Sequence, residues 1–383
     1  MIDQKHLFEL PEDIHYLNGA YMSPNLISVR AAGTAAVQRK SNPLTIQESD
    51  FFEPAEELKS LFGKLINGSA AQIAVIPSAS YGLMSAISNV SCGKGQHALV
   101  VSEEFPSAHL TLQRWCNENN AELKVLFPSK ERQGRTEKWN DQIIEAINKD
   151  TALLVMSSVH WMDGTLFNLE AIGAKCRETD TIFIVDGTQS VGALPMDVAQ
   201  FNIDALICAG YKWLMGPYSS GLAYYSERFN IGKPIEESWM NRNDASDFST
   251  LTKYPEEYSP GAGRYNVGEF SNFITLPMLK AAIEQILEWK PENIQQYCKQ
   301  LMQPLFTCLE VNGIPAEKPE NIASHLVGIY LPEQIDIERL ITDLKLHKIY
   351  VSARGRSIRV SPHVYNTNYD VEAFLAIFQK HLP

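Results

Sequence analysis

The chain has 383 residues, 45% of them hydrophobic and 20% charged, a composition that describes a globular protein rather than a disordered one. Thirty-three Lys and Arg against 45 Asp and Glu leave a formal charge of −12, which denies a nucleic-acid partner the dense positive face it needs. No apolar run approaches the ~20 residues of a membrane span, and at about 100–200 residues per domain two or three domains are expected.

The opening residues, MIDQKHLFELPEDIHYLNGA, carry neither a basic cap nor an apolar signal core, so a cytoplasmic protein is expected. Residues 1–14 are too short to fold alone and are expected to pack on a small C-terminal domain. Between residues 70 and 230 short apolar runs follow one another: IAVI (73–76), ALVV (98–101), LKVLF (123–127), ALLVM (152–156), IFIV (182–185), ALICA (205–209) and LAYY (222–225). Runs this continuous predict strands covered on both faces. The stretches LTLQRWCNEN, WNDQIIEAINK and NLEAIGAKCRET have helical spacing, which predicts right-handed crossovers in a mostly parallel seven-stranded α/β sheet flanked by helices. GYKWLMGPYSSG has no helical face, so LAYY is expected to return antiparallel beside ALICA.

Residues 231–270 read as irregular. LPMLKAAIEQILEWK then predicts a helix that stops at Pro291. HLVGIYLP and SIRVS read as strands, and IDIERLITDLKLHK and DVEAFLAIFQKHL as helices. The expected division is a large domain over 15–260 and a smaller α+β domain over 261–383. Cys92, Cys116, Cys176, Cys208, Cys298 and Cys308 form no CxxC, and the nine histidines form no HxH or HxxxH, so neither a disulfide framework nor a metal centre is expected.

In an open parallel sheet, ligands bind beyond the carboxyl ends of the strands. The residues in that position are Ser78-Ala79-Ser80, Ser102-Glu103-Glu104-Phe105, Ser157 and Ser158 with His160 and Trp161, Asp186-Gly187-Thr188-Gln189, and Gly210-Tyr211-Lys212-Trp213. Ser78-Ala79-Ser80 opens a helix, where free N–H groups suit an anion, although a serine there also serves as a simple N-cap. Asp186 ends an apolar strand and must find a partner, unless it is a solvated turn former. Lys212 follows the next strand; a desolvated lysine is a nucleophile or base, and a surface lysine is the plain alternative. Together, an anion-binding helix start, a strand-end carboxylate and a strand-end lysine match the needs of pyridoxal 5′-phosphate. A nicotinamide dehydrogenase would need GxGxxG after the first strand. IPSASYG does not supply it, and GAGRYNVG has the wrong spacing.

The segment VDGTQSVGALPMDVAQFNIDALICAGYKWLMGPYSSGLAYYS resembles the core of the class V aminotransferase family, fold-type I pyridoxal-phosphate enzymes. That family includes cysteine desulfurases and kynureninase-like and isopenicillin N epimerase-like proteins. The similarity begins near YLNGA and extends through IPSASYG, SEEFPS and GRYNVGEFSNF to SIRVSPHVYNT. The resemblance implies that Lys212 is the Schiff-base lysine, Asp186 the partner of the pyridinium nitrogen, and Gln189 the donor to the ring's phenolate oxygen. It implies that Phe105 stacks on the ring, in a slot that desulfurases fill with His, and that Ala79 and Ser80 bind the phosphate. Tyr211 takes the place of a His beside the lysine, and Ala209 replaces a Ser that would otherwise reach the phosphate.

Ser271 and Asn272 lie near the segment that in relatives reaches the neighbouring subunit's phosphate, which implies a homodimer with shared sites. Arg359 matches the arginine that grips the substrate α-carboxylate. Asn18 and Gly19 fall in the loop lining the substrate side, with Arg354 and Trp161 as further pocket residues. Desulfurases carry a catalytic Cys ahead of that arginine; VSARGRSIR has none, so the likeness is to the non-desulfurase members. The function expected is that of a pyridoxal-phosphate enzyme acting on a small amino acid, an aminotransferase first and an epimerase, racemase or β-eliminating lyase otherwise. Intact Lys212, Asp186 and Arg359 argue against a relative that binds a ligand without turnover.

Overall fold

The computed structural model of the chain describes residues 1–131 and 134–382. It opens with a two-residue strand, β1 (His15–Tyr16), and two helices, α1 (Ile27–Lys40) and α2 (Glu53–Ile66). Strands and helices then alternate: β2 (Ile73–Ile76), α3 (Ala79–Ile87), β3 (His97–Val101), α4 (Pro106–Asn119), β4 (Glu122–Leu126), α5 (Arg135–Ala146), β5 (Thr151–Ser157), α6 (Leu169–Thr179) and β6 (Ile182–Asp186). β7 (Ala205–Ala209) and β8 (Gly221–Tyr225) follow.

These strands form one sheet in the order β2-β8-β7-β6-β5-β3-β4. β3 to β7 run parallel, and β8 is antiparallel to both neighbours, so the return of LAYY beside ALICA is as expected. Every residue of β3, β5 and β7 is buried, which is why these strands read as unbroken apolar runs. Side chains alternate across the sheet. Ile73 and Val75 join a core with Phe62 of α2 and Ile172 of α6, whereas Ala74 and Ile76 join a second core with Leu83 of α3 and Leu112 of α4.

After a segment of short turns come α7 (Thr275–Trp289) and α8 (Pro291–Val311), separated by Lys290 at φ 67°. α7 lies past residue 260 and packs on α1 and α2, adding Leu279, Ile283 and Ile286 to the first core. The remaining elements are β9 (Val327–Tyr330), α9 (Ile337–Leu346), β10 (Ile349–Tyr350), β11 (Ser352–Arg354), β12 (Ser357–Val360) and α10 (Asn368–Phe378). β11, β12 and β9 make a three-stranded antiparallel sheet, and a third core joins Leu305, Ile329, Leu340, Ile358 and Phe374. β1 pairs with β10 in parallel, docking the N-terminal segment on this C-terminal unit. Among the described residues no helix is long and apolar enough to cross a membrane, and no cluster of His, Cys, Asp or Glu could hold a metal.

Candidate active site

The carboxyl ends of β2, β5, β6 and β7 open on a cavity of about 220 Å³. Of the residues expected from sequence, Ala79, Ser80, Phe105, Trp161, Asp186, Gln189, Tyr211 and Lys212 line it. One wall is the start of α3, where Ser78 Oγ accepts from the Tyr81 N–H at 3.2 Å and lies 2.9 Å from Ser80 Oγ. The first N–H groups of a helix have no intrahelical partner, which makes this wall an anion cradle. Ser219 and Ser220 add hydroxyls from the loop before β8.

Asp186 is the last residue of β6 and is 5% exposed. Its Oδ1 accepts from the Thr188 N–H at 2.9 Å. Burial raises its pKa, against the opposing pull of Thr188 and Lys212. Lys212 sits in the turn after β7, where Met215 N–H donates to the Lys212 carbonyl at 3.0 Å. Burial lowers its pKa to about 8; Asp186 acts against that shift, while the cations Arg359 and Arg354 add to it. The Lys212 Nζ lies 5.6 Å from the centroid of Phe105 and 5.8 Å from that of Tyr211.

Gln189 is held from both ends. Its Oε1 accepts from Trp213 Nε1 at 2.9 Å, and its Nε2 donates to the Ala20 carbonyl at 3.1 Å, leaving one amide N–H uncommitted. That bond ties the Asn18–Gly19 loop to the site. Asn18 and Gly19 themselves lie behind the cavity wall: a Cβ on Gly19 would stand 3.0 Å from the Trp213 ring, and Asn18 Oδ1 accepts from Ser352 Oγ at 2.6 Å.

Arg354 and Arg359 also stand just outside the lining, against Trp161. Their guanidinium carbons lie 6.0 and 5.7 Å from the Trp161 ring, and Arg359 donates to the Trp161 carbonyl at 2.8 Å. Arg359 is 1% exposed and its Nε has no partner. Burial and the charge of Arg354 lower its pKa to about 10.

Ser271 and Asn272 do not reach the cavity of their own chain. They border a second cavity of about 320 Å³ beside Arg39 of α1, where Asn272 Oδ1 accepts from Ile274 and Thr275 N–H at 3.1 and 2.9 Å. Within one chain Asn272 therefore caps the entry to α7.

The cavity has further residues. Thr188, Ser157, Ser107 and Tyr218 line it, and the Ala209 N–H donates to Thr188 Oγ1 at 3.2 Å. Behind Ser157 lies Glu104, a buried carboxylate that accepts from the Ser157 N–H at 2.6 Å, from Ser157 Oγ, and from the Phe105 N–H at 2.7 Å. Burial raises its pKa, and His160 opposes that rise. Glu104 thus fastens the Phe105 turn to the end of β5. Thr188, Ser157 and Glu104 fall at the strand-end positions picked out from sequence, though with no role assigned there; nothing local distinguishes Glu104 from Glu103.

The residues present fit pyridoxal 5′-phosphate: a helix start for its phosphate, a buried carboxylate for its ring nitrogen, an aromatic face for the ring, and a desolvated lysine for its aldehyde. A family model described as "Aminotransferase class-V" matches residues 31–374. An uncharacterized aminotransferase of Bacillus subtilis, YcbU, is 26% identical over 326 residues, covering 83% of this chain and 81% of its own. A kynureninase of Bacillus mycoides is 26% identical over 353 residues (87% and 79%), and a probable cysteine desulfurase of Pyrococcus abyssi 26% over 305 residues (75% and 72%). In fold, the chain matches a cysteine desulfurase from Thermococcus onnurineus NA1 with a TM-score of 0.84 at 19% identity, over 100% of this chain and 98% of that one. With the match running from α1 into α10, the chain belongs to the class V aminotransferase family, whose cofactor is pyridoxal 5′-phosphate.

Proposed function

We propose that the chain binds pyridoxal 5′-phosphate and transaminates a small amino acid. The observation that carries this reading is a desolvated Lys212 sharing one cavity with buried Asp186 and the start of α3. When bound, the cofactor supplies an aldehyde that captures the substrate amine and a ring that accepts the electron pair of the broken Cα–H bond. The chain's residues do the rest. The α3 start holds the phosphate, the Asp186 carboxylate keeps a proton on the ring nitrogen, and Gln189 donates its free N–H to the ring oxygen. Arg359 orients the α-carboxylate through its planar fork, and Phe105 and Trp161 screen the reacting carbon from water. Lys212 Nζ, once released, is the base that takes the Cα proton and delivers it to a different carbon, the shift that transamination requires.

Lys212 is the one amine among the described cavity-lining residues, and no histidine lines the cavity. Burial pushes the Tyr211 phenol up, so it keeps its proton. A single base that removes a proton from one carbon and delivers it to another on the same face suits transamination, whereas inversion at Cα is better served by two. All six cysteines are free and none lines the cavity, which leaves persulfide chemistry without a nucleophile.

Six unpaired thiols also support a cytoplasmic setting. We further infer a homodimer in which Ser271 and Asn272, turned away from their own cavity, complete the partner's phosphate site. The direct test is incubation of the cofactor-loaded protein with an amino-acid panel and a 2-oxo acid acceptor. Conversion of an amino acid to its 2-oxo acid is expected. Exchange of the Cα hydrogen with solvent, without amine loss, would contradict transamination and identify an epimerase.

A further inference from the structure

We propose that the substrate carries a second carboxylate, on its side chain, and that Arg354 reads it beside Arg359. The inference rests on the aminotransferase reading of the cavity and names the substrate class of that site.

Arg354 ends β11 and Arg359 lies in β12, and their register puts both on one face of the hairpin that turns at Gly355 with φ 55°, each guanidinium against the Trp161 ring. Both add to the electrostatic lowering of the Lys212 pKa, and the Trp161 ring they border lines the same cavity as Lys212. Neither forms an ion pair with an acidic residue among the described residues. Arg354 donates one N–H to the Ala353 carbonyl at 2.8 Å, and Arg359 one to the Trp161 carbonyl, which leaves most of the five donors of each without a partner.

The contrast with the other buried arginine among the described residues is direct: Arg135 is buried like Arg359 but is bound to Asp163. In a chain of formal charge −12, carboxylates are plentiful, yet among the described residues none pairs with either of these two arginines. Two adjacent cations repel each other, and burying one without a counter-charge costs several kcal/mol. An anion arriving with the substrate offsets that cost. One planar fork satisfies the α-carboxylate. The second remains available for another carboxylate, and the Trp161 ring borders both guanidiniums as an apolar surface for the methylenes between the two acids.

The test uses the holoenzyme, the matched pairs aspartate/asparagine and glutamate/glutamine, and the variants Arg354→Gln and Arg354→Lys. At least one acid should exceed its amide in kcat/KM by about tenfold, the value of one charge-assisted hydrogen bond. Arg354→Gln should collapse that acid-to-amide ratio through KM, and Arg354→Lys should restore part of it. Calorimetry gives a readout independent of turnover: glutarate should bind the holoenzyme more tightly than butyrate, and Arg354→Gln should remove the difference. Equal losses on acid and amide would overturn the proposal and assign Arg354 to the α-carboxylate; the same holds for glutarate binding no better than butyrate. A loaded enzyme that converts no amino acid would refute the aminotransferase reading instead, while the calorimetry would still decide the role of Arg354.

Discussion

Lys212 and Asp186 sit in the same low-dielectric pocket, and burial moves them in opposite directions along the pH scale: the lysine down to about 8, the carboxylate up. For an amine, a lowered value means that the neutral, nucleophilic form accumulates as pH rises through about 8, well below the range of an ordinary lysine. The rate at which the apo chain takes up cofactor, followed by its visible absorbance, should therefore climb between about pH 7 and 9 and level off above. Arg359→Met removes a cation that helps hold Lys212 down, so the midpoint should move to higher pH. An unmoved midpoint would separate the arginine from the lysine. Both residues were legible in sequence because Asp186 ends an unbroken apolar strand and Lys212 closely follows another, where a charged side chain stands out. The place of Glu104 after β3 was legible, but not its part in fastening Phe105 to Ser157. It follows Glu103 in the chain, and what separates the two is backbone geometry: Glu103 adopts φ 56°, and Glu104 is buried where its neighbour is exposed.

At the scale of elements, the anion cradle depends on how closely α3 approaches the sheet. Gly82 makes that approach possible, since a Cβ there would stand 2.8 Å from Ile207 and 2.9 Å from Ile76. Gly82→Val should force α3 outward, costing about 1–3 kcal/mol in stability. It should also weaken cofactor binding, because the Ala79–Ser80 N–H groups shift with the helix. Thermal denaturation and a cofactor titration check the two effects; lost stability with unchanged affinity would free the phosphate site from dependence on α3. The sheet strands were readable since burial on both faces makes them continuous apolar runs. α8 was not. It begins at Pro291, the residue that ends the α7 pattern, and carries Pro304 within it, so two signals that normally stop a helix lie inside this one or at its first turn. β11 has three residues, and only pairing with β12 makes it a strand.

For the whole molecule, the acidic surface and the cationic site are separate matters. The formal charge of −12 describes the exterior, whereas the proposed chemistry draws on the α3 start, Lys212, Arg354 and Arg359. The β11–β12 hairpin brings both arginines against Trp161, which lines the cavity in the large sheet, and the proposal puts the substrate side there. Which chain supplies each contact was beyond reach of sequence, because the role proposed for Ser271 and Asn272 depends on where a partner would sit. The most direct measurement is borohydride reduction of the cofactor-loaded protein, read by native mass and by peptide mapping. Expected are a mass of two chains, one reduced cofactor fixed to each, and attachment at Lys212. Fixation at another lysine, or none at all, would contradict the assignment of Lys212 as the residue that holds the cofactor.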